Sequence, residues 1–213
     1  MAGSQTLGLF FSDVEGSTAL ALRLGDAYDD LLARHRAIIR EAFAAHGGTE
    51  HGTEGDSFFA TFATAVDAVR ASIDAQRGLG TEEWAPGEEI RVRIGVHVGA
   101  VRQHGANDLT GVDIHLAARV MSTGHGGQIV VTRSVVDQLL GSDIGARSLG
   151  EHQLKDIPHR TELFQIEAEG VSADSPPLRG VGRAGAIRLP RVDKAFFGRD
   201  SEIKTGLALV NSK

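Results

Sequence analysis

Nothing in this chain restricts its fold more than the run from Ile90 to Val98. There Ile90, Val92, Ile94, Val96 and Val98 alternate without interruption with Arg91, Arg93, Gly95 and His97. A period of two places all five branched residues on one face of a strand, so that face belongs in a core and the other carries the polar set. A strand of this kind needs cover, and the flanking sequence supplies it. Leu31, Leu32, His35, Ile38, Ile39, Ala42 and Phe43 recur at helical spacing until Gly47-Gly48 stops the helix. A second, Ala-rich helix is predicted over 63–79 and a third over 112–123. Ser17 and Thr18 are good N-caps for the helical stretch after the first strand, Leu7 to Phe11. Two short strands flank Gly55-Asp56 as a hairpin, and further strands are predicted near 128–132, 147–154 and 162–167, with a short helix around 134–140. Strands joined by a hairpin, mixed with helical crossovers, give an α+β fold: a ferredoxin-like mixed β-sheet with packed helices.

Composition removes several function classes. The 22 Lys and Arg against 28 Asp and Glu leave a formal charge of −6, the wrong sign for coating nucleic acid. With no cysteine, a disulfide framework, a thiolate zinc site and a cysteine nucleophile are excluded. No apolar run approaches the ~18 residues of a membrane span. The N-terminus lacks a basic-then-apolar leader, so the expected address is the cytoplasm, with no membrane partner. After residue 168 the character changes. Pro176, Pro177 and Pro190 alternate with Gly170, Gly180, Gly182 and Gly185, which predicts a linker over 169–194 that is mobile or extended. Residues 195–213 regain apolar side chains but are too few to bury a core of their own.

Two acidic residues stand where chemistry is easily placed. Asp13 closes a strand just before a helix start, in Phe11-Ser12-Asp13-Val14-Glu15-Gly16-Ser17-Thr18. A carboxylate beside free helix N–H groups suits a hard cation carrying phosphate, although an aspartate there also serves as a plain cap. Asp56 follows Gly55 at a hairpin tip, where aspartate is usually a turn residue. The pair says more than either member, because a strand end beside a hairpin of one sheet can bring two carboxylates together. His97, on the polar side of its strand, and His125, before Gly126-Gly127, have no zinc-pair spacing and are expected to be structural or surface residues.

The string FSDVEGST, the helix ending AHGG and the hairpin TEGDSFFATF resemble the class III nucleotide cyclase catalytic domain. IRVRIGVHVG, DLTGVDIHLAARVM, HGGQIVVT and LGEHQLKD continue the resemblance in order, over about residues 7–167. It implies a catalytic domain over 1–168. The tail FFGRDSEI is similar to the entry of an ATPase domain found after such cyclase domains in bacterial regulators, a downstream partner region whose phosphate-binding Gly-x-x-x-x-Gly-Lys run is absent here.

The resemblance further implies a reaction and a site. Asp13 and Asp56, with the Val14 carbonyl, would hold two divalent cations, magnesium or manganese, for in-line attack of a ribose 3′-hydroxyl on the α-phosphorus of ATP or GTP. The backbone N–H groups of Glu15, Gly16, Ser17 and Thr18 would hold the outer phosphates. Asp108 stands at the place of the family's purine-reading aspartate, Arg119 at that of its transition-state arginine, and Lys155 within reach of phosphate. Without the resemblance, Arg119 and Lys155 read as solvated surface cations. Family members form head-to-tail dimers in which each chain completes the other's site, so a homodimer is expected.

Two positions depart from the pattern. Gly52 occupies the place of an adenine-selecting lysine, and His115 that of an asparagine four residues before the arginine. Loss of the lysine removes a base reader, and His51 or Glu50 could substitute, only one of them pointing inward if the strand alternates. His115 can donate a hydrogen bond but is larger and titratable. The expected activity is therefore a slow cyclase with loose base selection. The alternative is a degenerate cyclase-like module that binds nucleotide and regulates an effector.

Overall fold

The alternating run forms the start of the strand that organises the whole sheet. The computed structural model describes residues 3–104, 109–172 and 174–181. Asp108, much of the predicted linker and the ATPase-like segment 195–213 lie outside the described residues. In chain order the elements are β1 (Ser4–Val14), α1 (Ser17–Leu24), α2 (Ala27–Ala45), β2 (Thr49–Glu54), β3 (Ser57–Phe62), α3 (Ala65–Thr81) and β4 (Val92–Gln103). They continue with β5 (Leu109–Thr110), α4 (Val112–Thr123), β6 (Ile129–Thr132), α5 (Arg133–Gln138), β7 (Gly145–Gln153) and β8 (Arg160–Glu167).

Among the described residues the strands form one sheet in the order β2-β3-β1-β4-β6-β8-β7, with β5 on the edge of β4. The β4–β6 pair is parallel and every other pairing antiparallel, so the sheet is mixed, as the sequence predicts. Ile90, Val92, Ile94, Val96 and Val98 are all buried. They share their core with Phe10, Phe43, Phe58 and Phe62 and with apolar residues of α2 and α3. Phe43 meets Phe10, Phe58 and Phe62 edge-on, with centroids 5.0, 5.8 and 5.7 Å away, the geometry that ring quadrupoles favour.

Three details differ from the expectations. The helical stretch after Ser17 is two helices, because Gly25 turns the chain with φ of 56°, a value that suits glycine. β1 begins at Ser4 and runs through Asp13 to Val14, longer than its apolar centre. His97 is not on a polar surface: α4 covers the second face of β4, burying His97, whose Nδ1 lies 2.8 Å from Thr132 Oγ1. A strand covered on both faces loses the polar-out rule that holds for half-exposed strands.

The cover by α4 depends on a missing side chain. A Cβ on Gly95 would stand 2.3 Å from the Met121 backbone nitrogen, so the helix lies directly on the strand. Gly95→Ala is expected to push α4 off the sheet and to cost about 1–3 kcal/mol. A urea midpoint unchanged from the parent protein would show that the helix yields at no cost.

Candidate active site

The two faces of the sheet can be told apart from register. Gly8, Phe10, Ser12 and Val14 alternate with Leu9, Phe11 and Asp13 along β1. Phe10 and Val14 pack in the core with α2 and α3. The face of Phe11 and Asp13 is the one under α4, since Phe11 pairs with Gly95. In the same register Asp13 pairs with Arg93, which places a carboxylate directly opposite a guanidinium across two strands. Arg93 donates to Asp13 Oδ2 through Nε at 3.0 Å and also through its terminal nitrogen, while Ser57 Oγ donates to Oδ1 at 2.8 Å.

Asp56 is brought to the same end of the sheet by its hairpin. Gly55 takes φ of 58° at the tip, and Arg36 of α2 donates to the Gly55 carbonyl at 2.6 and 3.2 Å, bracing the turn. The Val14 N–H then donates to Asp56 Oδ2 at 3.1 Å, tying the second aspartate to the residue after the first. Tyr28, at the start of α2, borders the same spot. Its phenol is pushed up, first by burial and then by the Asp56 carboxylate; Arg36 opposes them, and the Asp13 carboxylate adds the least. Two carboxylates and a nearby backbone carbonyl make an all-oxygen donor set, which suits a hard cation that keeps some of its water. No group of three or more acidic or histidine side chains with metal-binding geometry occurs among the described residues. Phosphate oxygens of a bound nucleotide would complete such a shell.

The phosphate cradle needs one correction. The Glu15 N–H is not available for phosphate, because it donates to the Arg91 carbonyl at 2.8 Å and extends the β1–β4 ladder. The Glu15 carboxylate points elsewhere, accepting from the Gly126 N–H at 3.1 Å and from Arg179. What remains is the turn at Gly16, with φ of 73°, and the start of α1 at Ser17 and Thr18, where no side chain caps the first turn. Those orphan N–H groups are the ones an anion can use.

Arg119 and Lys155 come together on elements other than those that carry the aspartates. Arg119, on α4, pairs with Asp156 at 2.7 Å in the turn that carries Lys155. Arg119, Ser122, Lys155 and Arg179 line a cavity of about 160 Å³. His115 lies one helical turn before Arg119 and is exposed.

The β2–β3 hairpin settles which neighbour of Gly52 faces the site side of the sheet. Glu50 pairs with Ala60 but Gly52 with Phe59, so His51 is an extra residue, a β-bulge. Glu50 turns toward α2, where Arg40 holds it with two bonds of 2.8 and 2.9 Å. His51 lies over Phe59, with ring centroids 5.3 Å apart, and its Nε2 is 2.8 Å from Thr61 Oγ1. Phe59 stacks on Phe11 at 4.6 Å, so His51, Phe59 and Phe11 form a continuous aromatic surface on the Asp13 face. Gly52 opens onto the same face, and a Cβ there would meet nothing within 4 Å. Simple alternation cannot show this, because a bulge exists only in the pairing with β3. Arg93 also escapes a reading by sequence alone, since its partnership with Asp13 is a matter of register.

Comparison with known proteins bears on the family and the fold. The adenylate and guanylate cyclase catalytic domain family matches residues 1–168. An uncharacterised protein of Mycobacterium tuberculosis is 32% identical over 204 residues, covering 93% of this chain and 68% of that protein. Receptor-type adenylate cyclase B of Leishmania donovani is 26% identical over 210 residues, spanning 78% of this chain but 16% of the relative. Among solved structures, an adenylate cyclase of Trypanosoma brucei in its monomeric state superimposes with a TM-score of 0.75 at 23% identity, over 82% of this chain and 92% of that one. The adenylyl cyclase CyaB of P. aeruginosa gives 0.70 at 21%, over 79% and 96%. From the ordered motifs, the mixed sheet and the match over residues 1–168, the chain belongs to the adenylate and guanylate cyclase catalytic domain family.

Proposed function

We propose that the protein converts ATP or GTP to a 3′,5′-cyclic nucleotide and pyrophosphate, as a head-to-tail homodimer. The observation that carries this reading is the convergence of Asp13 and Asp56 through the Val14 N–H, beside an uncapped helix start. Divalent cations held by the two carboxylates would neutralise the triphosphate and acidify the 3′-hydroxyl. Gly16, Ser17 and Thr18 would bind outer phosphates through the backbone. Arg93, already beside Asp13, would move its charge to phosphate oxygens once cations take over the carboxylate. Arg119 and Lys155, on α4 and on the turn after β7, would serve a phosphate presented by the partner's half-site. Charge building on the phosphoryl oxygens in the transition state is what a preorganised guanidinium stabilises.

Base selection is expected to be loose. Gly52 offers no side chain, and the aromatic surface of Phe11, Phe59 and His51 stacks on any base, since every base has a π-face. Neither neighbour of Gly52 presents a free group to a base edge: His51 Nε2 is engaged with Thr61 Oγ1 and its Nδ1 is buried, while Glu50 is committed to Arg40.

The test is a manganese-supported assay with ATP and GTP side by side. Similar apparent affinities are expected, with low turnover for both. Gly52 has open space around it and lacks a positive φ, so Gly52→Lys should fold normally and favour ATP by about 1–3 kcal/mol per hydrogen bond gained. A parent protein already strongly selective for ATP would show that His51 or another group reads the base.

A second reading, a nucleotide-binding module without turnover, is supported by one contact. Arg93 holds Asp13 in the way a cation would. Binding of ATP without cyclic product at saturating manganese would decide for it.

A further inference from the structure

Residues 174–181 lie beyond the 1–168 matched by the cyclase family, yet they are docked on the catalytic fold. Leu178 and Val181 pack against a buried cluster of Val120, Val130, Leu154 and Leu163, between α4 and the β7–β8 turn. Polar contacts fix the register of this strap. The Arg179 N–H donates to the Thr123 carbonyl at 2.9 Å, at the C-terminal end of α4. His125 is used at both ring nitrogens: Nε2 donates to the Pro177 carbonyl at 3.0 Å and Nδ1 accepts from Arg179 Nε at 3.1 Å. A neutral imidazole protonated at Nε2 satisfies both contacts at once. The terminal nitrogen of Arg179 then reaches the Glu15 carboxylate.

Glu15 is the hinge of the site. It follows Val14, whose N–H holds Asp56, and precedes Gly16, which opens the phosphate-binding helix start. Its other carboxylate oxygen is held by the Gly126 N–H, and a Cβ on Gly126 would come within 2.7 Å of that oxygen. The turn of His125 to Gly127 is therefore shaped to receive Glu15 from one side and the strap from the other. Arg179 also lines the small cavity with Arg119 and Lys155.

We propose that Arg179 is a positioning residue of the triphosphate site, acting through Glu15, so that the catalytic unit of this chain extends to the strap at Ser175–Val181. The proposal rests on the cyclase reading and deepens it. By holding the Glu15 carboxylate, Arg179 keeps the Val14–Gly16 turn in the conformation that aims the α1 N–H groups at phosphate. It leaves the reacting atoms untouched.

The test uses the whole chain in Arg179→Ala, Glu15→Gln and the double variant, with manganese–ATP binding followed by calorimetry and turnover measured alongside. Each single change is expected to weaken nucleotide binding and raise KM about two- to tenfold, the worth of one net hydrogen bond, with kcat within about twofold. Because both act through one contact, the double variant should be no worse than the poorer single. Additive losses, an unchanged KM or a loss confined to kcat would overturn the proposal. Trypsin cleavage after Arg179 gives a readout independent of catalysis. Glu15→Gln should accelerate it, and an unchanged rate would show that Glu15 does not hold the strap. If the parent chain binds neither ATP nor GTP while Glu15→Gln still speeds cleavage, the cyclase reading is overturned, and with it the positioning role, while the latch itself stands.

Discussion

Mixing equal amounts of Asp13→Asn and Arg119→Ala chains is expected to restore cyclic nucleotide formation that neither variant shows by itself. Asp13 stands near the end of β1, one residue before Val14, whose N–H holds Asp56, whereas Arg119 sits on α4, paired with Asp156. If dimers place the Asp13 half of one chain against the Arg119 half of the other, each single variant spoils both sites of its homodimer. Each should lose at least about a hundredfold in turnover, the scale of one transition-state electrostatic partner. In a mixed dimer one site receives the intact aspartate from one chain and the intact arginine from the other. Random exchange makes about half the dimers mixed, each with one working site of two, so the mixture should recover about a quarter of parental activity. Asp13→Asn keeps the shape that accepts the Ser57 hydroxyl, and far-ultraviolet circular dichroism checks that Arg93 without its partner has not disturbed the fold. A mixture no more active than the sum of its parts would mean that both halves act within one chain.

Acid should destabilise this protein through a histidine of the core. His35, on α2, is fully buried against Phe58, and neither ring nitrogen has a hydrogen-bond partner among the described residues. Burial first, and Arg36 next, push its pKa from 6.5 down to about 4. The folded state thus resists a proton that the unfolded chain accepts readily. Between pH ~6.5 and ~4 the unfolded state binds more protons, so stability is fully present above that window and drains as pH falls through it, by about 3 kcal/mol in total. Below about pH 4 both states carry the proton and this contribution falls no further. His35→Leu should remove the dependence and also relieve the two unpaired nitrogens at neutral pH. Urea midpoints of parent and variant at several pH values isolate the effect, because carboxylates such as Glu50 titrate alike in both. Curves that stay parallel from pH 7 to pH 4.5 would rule His35 out as the acid-sensitive group.

Much of the fold can be read from local spacing. The five branched residues from Ile90 to Val98 are core because period two and burial are the same constraint seen twice. The hairpin at Gly55-Asp56 and the helix Val112–Thr123 are legible for the same reason: turn chemistry and helical spacing act over a few neighbouring residues. His35 reads as part of an apolar helix stripe, and it lies in the core as a neutral ring. Asp13 and Asp56 stand out as a pair because a strand end and a hairpin tip of one sheet are easily neighbours, and the Val14 contact joins them.

What only the tertiary structure decided depends on register and on distant contacts. Alternation along β2 would put His51 and Glu50 on opposite faces in either of two ways. The bulge against β3 makes the choice, sending Glu50 to Arg40 and His51 to the Phe59 ring. Arg93 is one polar residue among several in its strand until the antiparallel ladder sets it across from Asp13. His97 passes for a surface residue until α4 closes over it. Pro176 and Pro177 mark a departure from helix and strand by composition, but composition is silent on where such a segment lies. The Arg179–Glu15 contact joins residues 164 apart in the chain, a separation over which no local propensity acts. Local sequence specifies which backbone shape each stretch can adopt; which side chains meet is set by the packing of those shapes, because register and docking are properties of pairs of elements.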